Sequence, residues 1–322
     1  MTARGPVVIV IPGDDPPQIQ GSPQLDRLRR YGEVRLHTER PRGLPEQLAR
    51  ARDAVCLVNT RGAVKWPGEA LRALPRLRMA TVCGIGTDAF DLPTARELGI
   101  TICNIPGKTA PIVAEHAFGL MLAAAKRAHF QTAELKAGRW TRIDNVYLHG
   151  KTLGLVGTGN IGTAMGRLGH AIGMEVLAWT FHPTPERQAA LGLRFVDLDE
   201  LCRRADVVSL HVKLTPESRH LIGTRQLALM KPGAILVNTA RGAVVDTDAL
   251  VAALRSGHLG GAALDVFDPE PLPPGHPLLD CAQVVLTPHS ADQTPEGTEL
   301  LNAGVVDNVV AFLEGQPQNV VS

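Results

Sequence analysis

An arginine, a glutamate and a histidine each follow an apolar run in the second half of the chain. Arg241 follows Ile235-Leu-Val-Asn-Thr-Ala, Glu270 follows Ala263-Leu-Asp-Val-Phe-Asp-Pro, and His289 follows Val284-Val-Leu-Thr-Pro. Open α/β sheets bind ligands at the carboxyl ends of their strands, so strands placed there would gather all three side chains at one edge. A guanidinium fork grips a carboxylate through two parallel hydrogen bonds. An imidazolium gives a proton to a carbonyl oxygen as hydride arrives. A carboxylate on the other ring nitrogen orients the imidazole and favours its charged form. Together these groups suit the reduction of a 2-oxo acid. Singly, each has a plainer reading: a surface arginine, a solvated glutamate in a proline loop, a histidine capping the tail helix. Their joint placement beside a second motif decides for the site.

That motif is Gly157-Thr158-Gly159-Asn160-Ile161-Gly162, preceded by the apolar run Thr152–Val156 and followed by a helical stretch. Strand, glycine turn and helix together make a dinucleotide fingerprint. Gly157 permits the turn, Gly159 lets backbone approach a pyrophosphate, and Gly162 lets helix and strand pack closely. The helix start offers unpaired N–H groups to the phosphates. A bound nicotinamide implies hydride chemistry. Counting on along Gly173-Met-Glu-Val-Leu-Ala-Trp179, the position after the second strand is Thr180, where a carboxylate would bind ribose hydroxyls and repel a 2′-phosphate. Threonine does not repel phosphate, yet no arginine follows directly in Phe181-His182-Pro183. His182 and Arg187 are the nearby candidates for a phosphate. The expected cofactor is NAD, with NADP left open.

The elements that must position these groups alternate. Val7–Ile11, Glu33–His37, Ala54–Asn59, Arg78–Cys83 and Thr101–Asn104 read as strands between helices at Pro23–Arg30, Pro45–Arg50, Gly68–Ala73 and Leu92–Leu98. A long helix is expected from about Ala110 to Ala128, with Val113, Ala117, Leu120 and Ala124 at helical spacing. Six further strands follow, at Thr152–Val156, Glu175–Trp179, Val207–His211, Ala234–Asn238, Gly261–Asp265 and Val284–Thr287. Helices at Ile161–Ile172, Pro185–Leu191, Leu198–Arg203, Thr224–Leu229 and Thr247–Ser256 separate them. An amphipathic tail helix, about Pro295 to Leu313, is free to return to the first domain. The fold class is α/β, with two parallel sheets covered by helices.

The 322 residues fit two domains. A formal net charge of +1 gives no nucleic-acid footprint and no polybasic membrane patch. The cysteines Cys56, Cys83, Cys103, Cys202 and Cys281 are scattered and never in C-x-x-C, which argues for a reducing compartment and against a metal site. The opening apolar run is too short for a signal peptide, and no stretch is long enough for a membrane span. The expectation is a cytoplasmic protein.

Gly157–Gly162, Val237-Asn-Thr-Ala-Arg241-Gly, Ala263-Leu-Asp265-Val-Phe-Asp-Pro-Glu270-Pro and Thr287-Pro-His289 resemble signatures of the D-isomer-specific 2-hydroxyacid dehydrogenases. Cys83-Gly-Ile-Gly-Thr-Asp88 and Val113-Ala-Glu-His-Ala117 fit as well, so the resemblance spans nearly the whole chain. It implies a Rossmann cofactor domain (106–289) inserted into a flavodoxin-like substrate domain (1–105 and 290–322), both doubly wound parallel sheets, around a cleft that closes on ligand. It implies Arg241, His289 and Glu270 in the roles above. Cys83, Gly84, Ile85 and Gly86 would offer backbone N–H groups to the substrate carboxylate. Val212, Thr239 and Ala240 would line the cofactor, and Asp265 would meet the nicotinamide carboxamide. Family members typically form homodimers through the cofactor domain.

Departures narrow the substrate. Val82 stands where phosphoglycerate-oxidising relatives carry an arginine, and the chain ends at Ser322 without the regulatory domain of longer relatives. Glu270 is a carboxylate where formate-oxidising relatives have glutamine. The expected activity is hydride transfer between NAD(P)H and a 2-oxo acid of glyoxylate or hydroxypyruvate type, or a larger one. The alternatives are phosphoglycerate oxidation and a dinucleotide-sensing, corepressor-like interaction protein, which keeps the same three residues. Glu115 and His116 are read as packing or hinge residues and Arg61 as solvated. Asn59 is a candidate to face the cleft, and Trp140 and Trp179 are core or interface residues. Cys83 has no nucleophilic task in hydride transfer.

Overall fold

The computed structural model describes residues 6–62 and 64–322. Residues 1–5 of the expected substrate domain lie outside them. The chain divides into two compact units, residues 1–109 with 293–322, and residues 110–292. Each is a parallel sheet with helices in its crossovers, so the α/β class expected from the alternation is what forms.

In the first unit the strands are β1 (Val8–Ile11), β2 (Glu33–Leu36), β3 (Cys56–Asn59), β4 (Met79–Val82) and β5 (Thr101–Cys103). Their order is β2-β1-β3-β4-β5. β1, β3 and β4 are buried at every residue, as their unbroken apolar runs require when both faces are covered. The tail helix, Pro295–Leu313, belongs to this unit. Thr294 starts it by accepting the N–H of Gly297. Leu301, Val305, Val306 and Val309 then join Ile9, Ile11, Val58 and Met79 in one apolar cluster.

That helix is not the simple amphipathic helix the sequence suggests, because its buried face also carries Asn302 and Asn308. Both amides are fully used. Asn302 accepts from the Gln18 amide at 2.9 Å and donates to the Gln18 carbonyl at 3.0 Å. Asn308 donates to Thr81 and to the Asn104 carbonyl and accepts from Asn319. A hydropathy pattern counts such residues as solvent-facing. Paired amides are what make their burial tolerable.

In the second unit the strands are β6 (Thr152–Val156), β7 (Glu175–Trp179), β8 (Arg194–Phe195), β9 (Val207–Leu210), β10 (Ile235–Asn238), β11 (Gly261–Leu264) and β12 (Val284–Leu286). Their order is β12-β11-β10-β9-β6-β7-β8, which reverses direction between β6 and β9. Six strands match expectation. β8 was not anticipated, since two residues paired only to Leu177 and Ala178 carry no readable period. The long helix is shorter than expected. It runs from Ala110 to Ala125, and a second helix, Ala128–Lys136, follows Arg127, whose backbone turns left-handed at φ 49° and breaks the first. Ala117, Leu120 and Ala124 of the first helix lie in the apolar core with Leu153, Leu155 and Met165.

The Gln18–Asn302 pair predicts a measurable cost. Asn302→Ala strands a buried amide and carbonyl and should lower stability by roughly 1–3 kcal/mol, seen as a lower urea midpoint. An unchanged midpoint would contradict the importance of this pair.

Candidate active site

Arg241, Glu270 and His289 come from three loops on neighbouring strands of the second unit. β10 ends on Asn238, whose buried side chain folds the next turn. Its oxygen accepts the N–H of Ala240 at 2.9 Å, and its amide donates to the carbonyl of Arg241 at 2.9 Å. Arg241, half-buried, leaves that turn with Nη1 donating to the Ala240 carbonyl. The next residue must be glycine, because a Cβ on Gly242 would fall 2.0 Å from the carbonyl carbon of Phe267. This approach sets the loop after β10 directly against the loop after β11.

The second loop carries Glu270. One carboxylate oxygen accepts the backbone N–H of Phe267 at 2.9 Å, and the other receives Nδ1 of His289 at 2.8 Å. Burial alone would raise the Glu270 pKa. The His289 hydrogen bond and charge, the Phe267 N–H and the Arg241 charge outweigh it and hold the carboxyl below its ordinary 4.5. Arg241 and Glu270 therefore feel each other. With Nδ1 engaged, Nε2 is the ring nitrogen left to face a ligand.

His289 itself sits at φ 52°, a conformation costly for a non-glycine residue. Asp265 holds it there. This aspartate is fully buried at the end of β11. Its carboxylate accepts the Thr287 hydroxyl at 2.5 Å and the backbone N–H groups of Ser290 and Ala291 at 2.9 and 3.0 Å. Its carbonyl accepts the N–H of His289 at 2.7 Å. Burial pushes its pKa up, but His116, Thr287 and Ser290 together bring it below 3.8. His116 reaches in from the Ala110–Ala125 helix, with Nε2 3.2 Å from the Thr287 hydroxyl and 3.5 Å from the Asp265 carboxylate. From the sequence His116 reads as a packing or hinge residue, and although it stands within the Val113–Ala117 signature, its link to Thr287 and Asp265 is not legible there because those partners lie far along the chain.

The glycine turn lies where the sheet order reverses. Gly157 has φ 103°, and a Cβ there would meet the His211 carbonyl at 2.6 Å. A Cβ on Gly162 would meet the Gly157 carbonyl at 2.1 Å. Around Gly159, by contrast, an added Cβ would touch nothing within 4 Å. The helix Asn160–Ala171 starts there with no side-chain cap, leaving its first N–H groups, including those of Asn160 and Ile161, to a ligand. Two buried hydroxyls in these loops, Thr158 Oγ1 and Thr239 Oγ1, have no partner among the described residues. Buried polar atoms are rarely left unpaired, so these fit groups supplied by a bound dinucleotide. Val212 packs under Gly157, Ala240 lies in the Asn238 turn, and Thr180 is buried at the end of β7.

In the first unit, the loop 83–86 follows β4. The N–H groups of Cys83 and Gly84 are engaged by the carbonyls of Asn59 and Val82. The Gly84 and Ile85 carbonyls accept from Ile105 and Asn104. Among the described residues, the backbone N–H groups of Ile85 and Gly86 have no hydrogen-bond acceptor. Asn59 is internal, its side chain bridging both backbone groups of Val64. Arg61, read as solvated, packs its guanidinium on the Gln293 amide. Among the described residues no group of histidine, cysteine, aspartate and glutamate side chains is arranged to hold a metal ion.

Residues 118–291 match the family model for the NAD-binding domain of D-isomer-specific 2-hydroxyacid dehydrogenases. The chain belongs to the D-isomer-specific 2-hydroxyacid dehydrogenase family. A glyoxylate reductase of Aeropyrum pernix is 39% identical over 309 residues, covering 92% of each chain. A D-3-phosphoglycerate dehydrogenase of Methanocaldococcus jannaschii is 39% identical over 301 residues, 92% of this chain but 56% of that protein. The solved structure of a glyoxylate reductase from Paecilomyes thermophila superposes with a TM-score of 0.88 at 28% identity, covering 98% of each. The family chemistry is hydride transfer between NAD(P)H and a 2-oxo acid, and this chain is an NAD(P)-dependent oxidoreductase of that kind.

Because Glu270 titrates below its ordinary value in the fold, its contribution to stability is present above pH 4.5 and lost as pH falls through the folded value. Denaturation of wild type and Glu270→Gln from about pH 7 to about pH 3 should show wild type ahead at neutral pH and the gap closing in acid. A gap that stays constant would contradict the ion pair.

Proposed function

We propose that this protein reduces a small 2-oxo acid, of the glyoxylate or hydroxypyruvate type, to the corresponding D-2-hydroxy acid. The observation that carries the reading is the 2.8 Å contact between His289 Nδ1 and Glu270, made beside Arg241 on the adjoining loop. Arg241 binds the substrate carboxylate as a fork. His289 gives the proton on Nε2 to the carbonyl oxygen, and Glu270 stabilises the imidazolium before transfer. The bound nicotinamide supplies the hydride. Asp265 and His116 are positioning residues for His289. Two of the relatives named above are glyoxylate reductases, which supports a small substrate.

NAD(P)H oxidation by the purified protein should therefore proceed with glyoxylate or hydroxypyruvate and more slowly with branched or aromatic 2-oxo acids. His289→Ala should lower kcat by about 10²–10⁴-fold. Arg241→Ala should raise KM and lower kcat together. Near-normal turnover in the His289 variant would overturn the assignment. Cofactor binding without turnover of any acid would favour the sensing alternative, and turnover confined to 3-phosphoglycerate would favour the other.

We also propose that the protein works as a homodimer in the cytoplasm. The segment after the Ala128–Lys136 helix leaves Trp140 84% and Tyr147 70% exposed, and Leu135 of that helix is 56% exposed. Surfaces of this kind are usually covered. Sedimentation equilibrium should give a dimer for wild type and a shift toward monomer for Trp140→Ser; a wild-type monomer at micromolar concentration would refute this.

A further inference from the structure

Arg187 has a placement that its position in the sequence does not disclose. Its N–H donates to Thr184, which caps the Pro185–Leu191 helix, and its side chain folds back toward the glycine turn. Nη2 donates to the carbonyl of Thr158, within the fingerprint, at 3.1 Å. Nη1 lies 3.5 Å from the Thr180 hydroxyl and 3.4 Å from the His182 carbonyl. The guanidinium is thus fixed between the phosphate-binding turn and the end of β7. All its partners are neutral oxygens, and among the described residues no carboxylate pairs with it, its sequence neighbour Glu186 included. A half-buried cation held in place without a counter-ion gains when a ligand brings the negative charge.

The end of the second strand is where this kind of domain holds the adenosine ribose. A carboxylate there would select against a 2′-phosphate, and this chain has Thr180 instead. We infer that Arg187 and Thr180 form a binding site for the 2′-phosphate of NADPH, so that the protein prefers NADPH to NADH. The guanidinium fork binds the phosphate oxygens, and the Thr180 hydroxyl donates to one of them. The sequence alone pointed to NAD with NADP open; the position of Arg187 reverses that order. This inference rests on the dehydrogenase reading and refines it.

Equilibrium titrations monitored by nucleotide fluorescence, with NADPH and NADH against wild type, Arg187→Ala and Thr180→Asp, test it without turnover. Wild type should bind NADPH at least about tenfold tighter than NADH. Arg187→Ala should weaken NADPH by about ten- to a hundredfold and leave NADH within about twofold. Thr180→Asp should reverse the preference. As a second readout, 2′,5′-ADP should raise the melting temperature of wild type more than 5′-AMP does, and the difference should vanish in Arg187→Ala. Equal weakening of both dinucleotides in Arg187→Ala, or a wild-type preference for NADH, would overturn the subsite while leaving the dehydrogenase intact. Binding of neither dinucleotide would overturn both.

Discussion

The buried carboxylate of Asp265 is the fixed point of the active region. It has no solvent exposure, and three donors from the segment 287–291 converge on it. Burying a carboxylate is expensive unless its lone pairs are filled, and here the filling is done by the turn that presents His289. The cost of holding a histidine at positive φ is met by those bonds and by the His289 N–H on the Asp265 carbonyl. The proposed proton donor is thus placed by backbone geometry first and by Glu270 second. The first fixes where the ring starts, the second fixes how it is turned.

Glycines do comparable work where two loops must touch. At Gly242 the close approach to Phe267 brings the arginine loop against the carboxylate loop. At Gly157 and Gly162 the strand end and helix start close on one another, while Gly159 stays open. Missing side chains in one place make contact, and in another they make room. Both serve negatively charged groups: an anion at the uncapped helix start, and a substrate carboxylate proposed at Arg241.

Much of this was legible in the chain. The apolar runs of β1, β3, β4, β6, β9 and β10 announce strands covered on both faces, and the three chemical residues are recognisable because each stands at a strand end. What stayed hidden has a common cause. Asn302 and Asn308 look like surface residues until their partners at 18, 81 and 104 are known. Asp265 reads as a ligand contact, yet both of its oxygens are occupied by neighbours that the fold brings in. His116 and Arg187 act across folds of the chain, and a local pattern cannot name a distant partner. β8 and the break at Arg127 escaped for the opposite reason, being too short to carry any pattern.

The first unit is assembled from both ends of the chain. Its cluster of Ile9, Ile11, Val58 and Met79 is completed by Leu301, Val305, Val306 and Val309. On a ribosome these strands emerge first and their covering helix only after the whole inserted unit. At about 5–20 residues per second, the intervening segment of 110–292 takes on the order of ten seconds or more to appear. The inserted unit is continuous in sequence and can close as it emerges, while the first unit must hold its apolar strands uncovered until residues 293–322 appear. The order of synthesis and the order of completion therefore differ, and the strands of the first unit wait for their cover through the whole interval between the two.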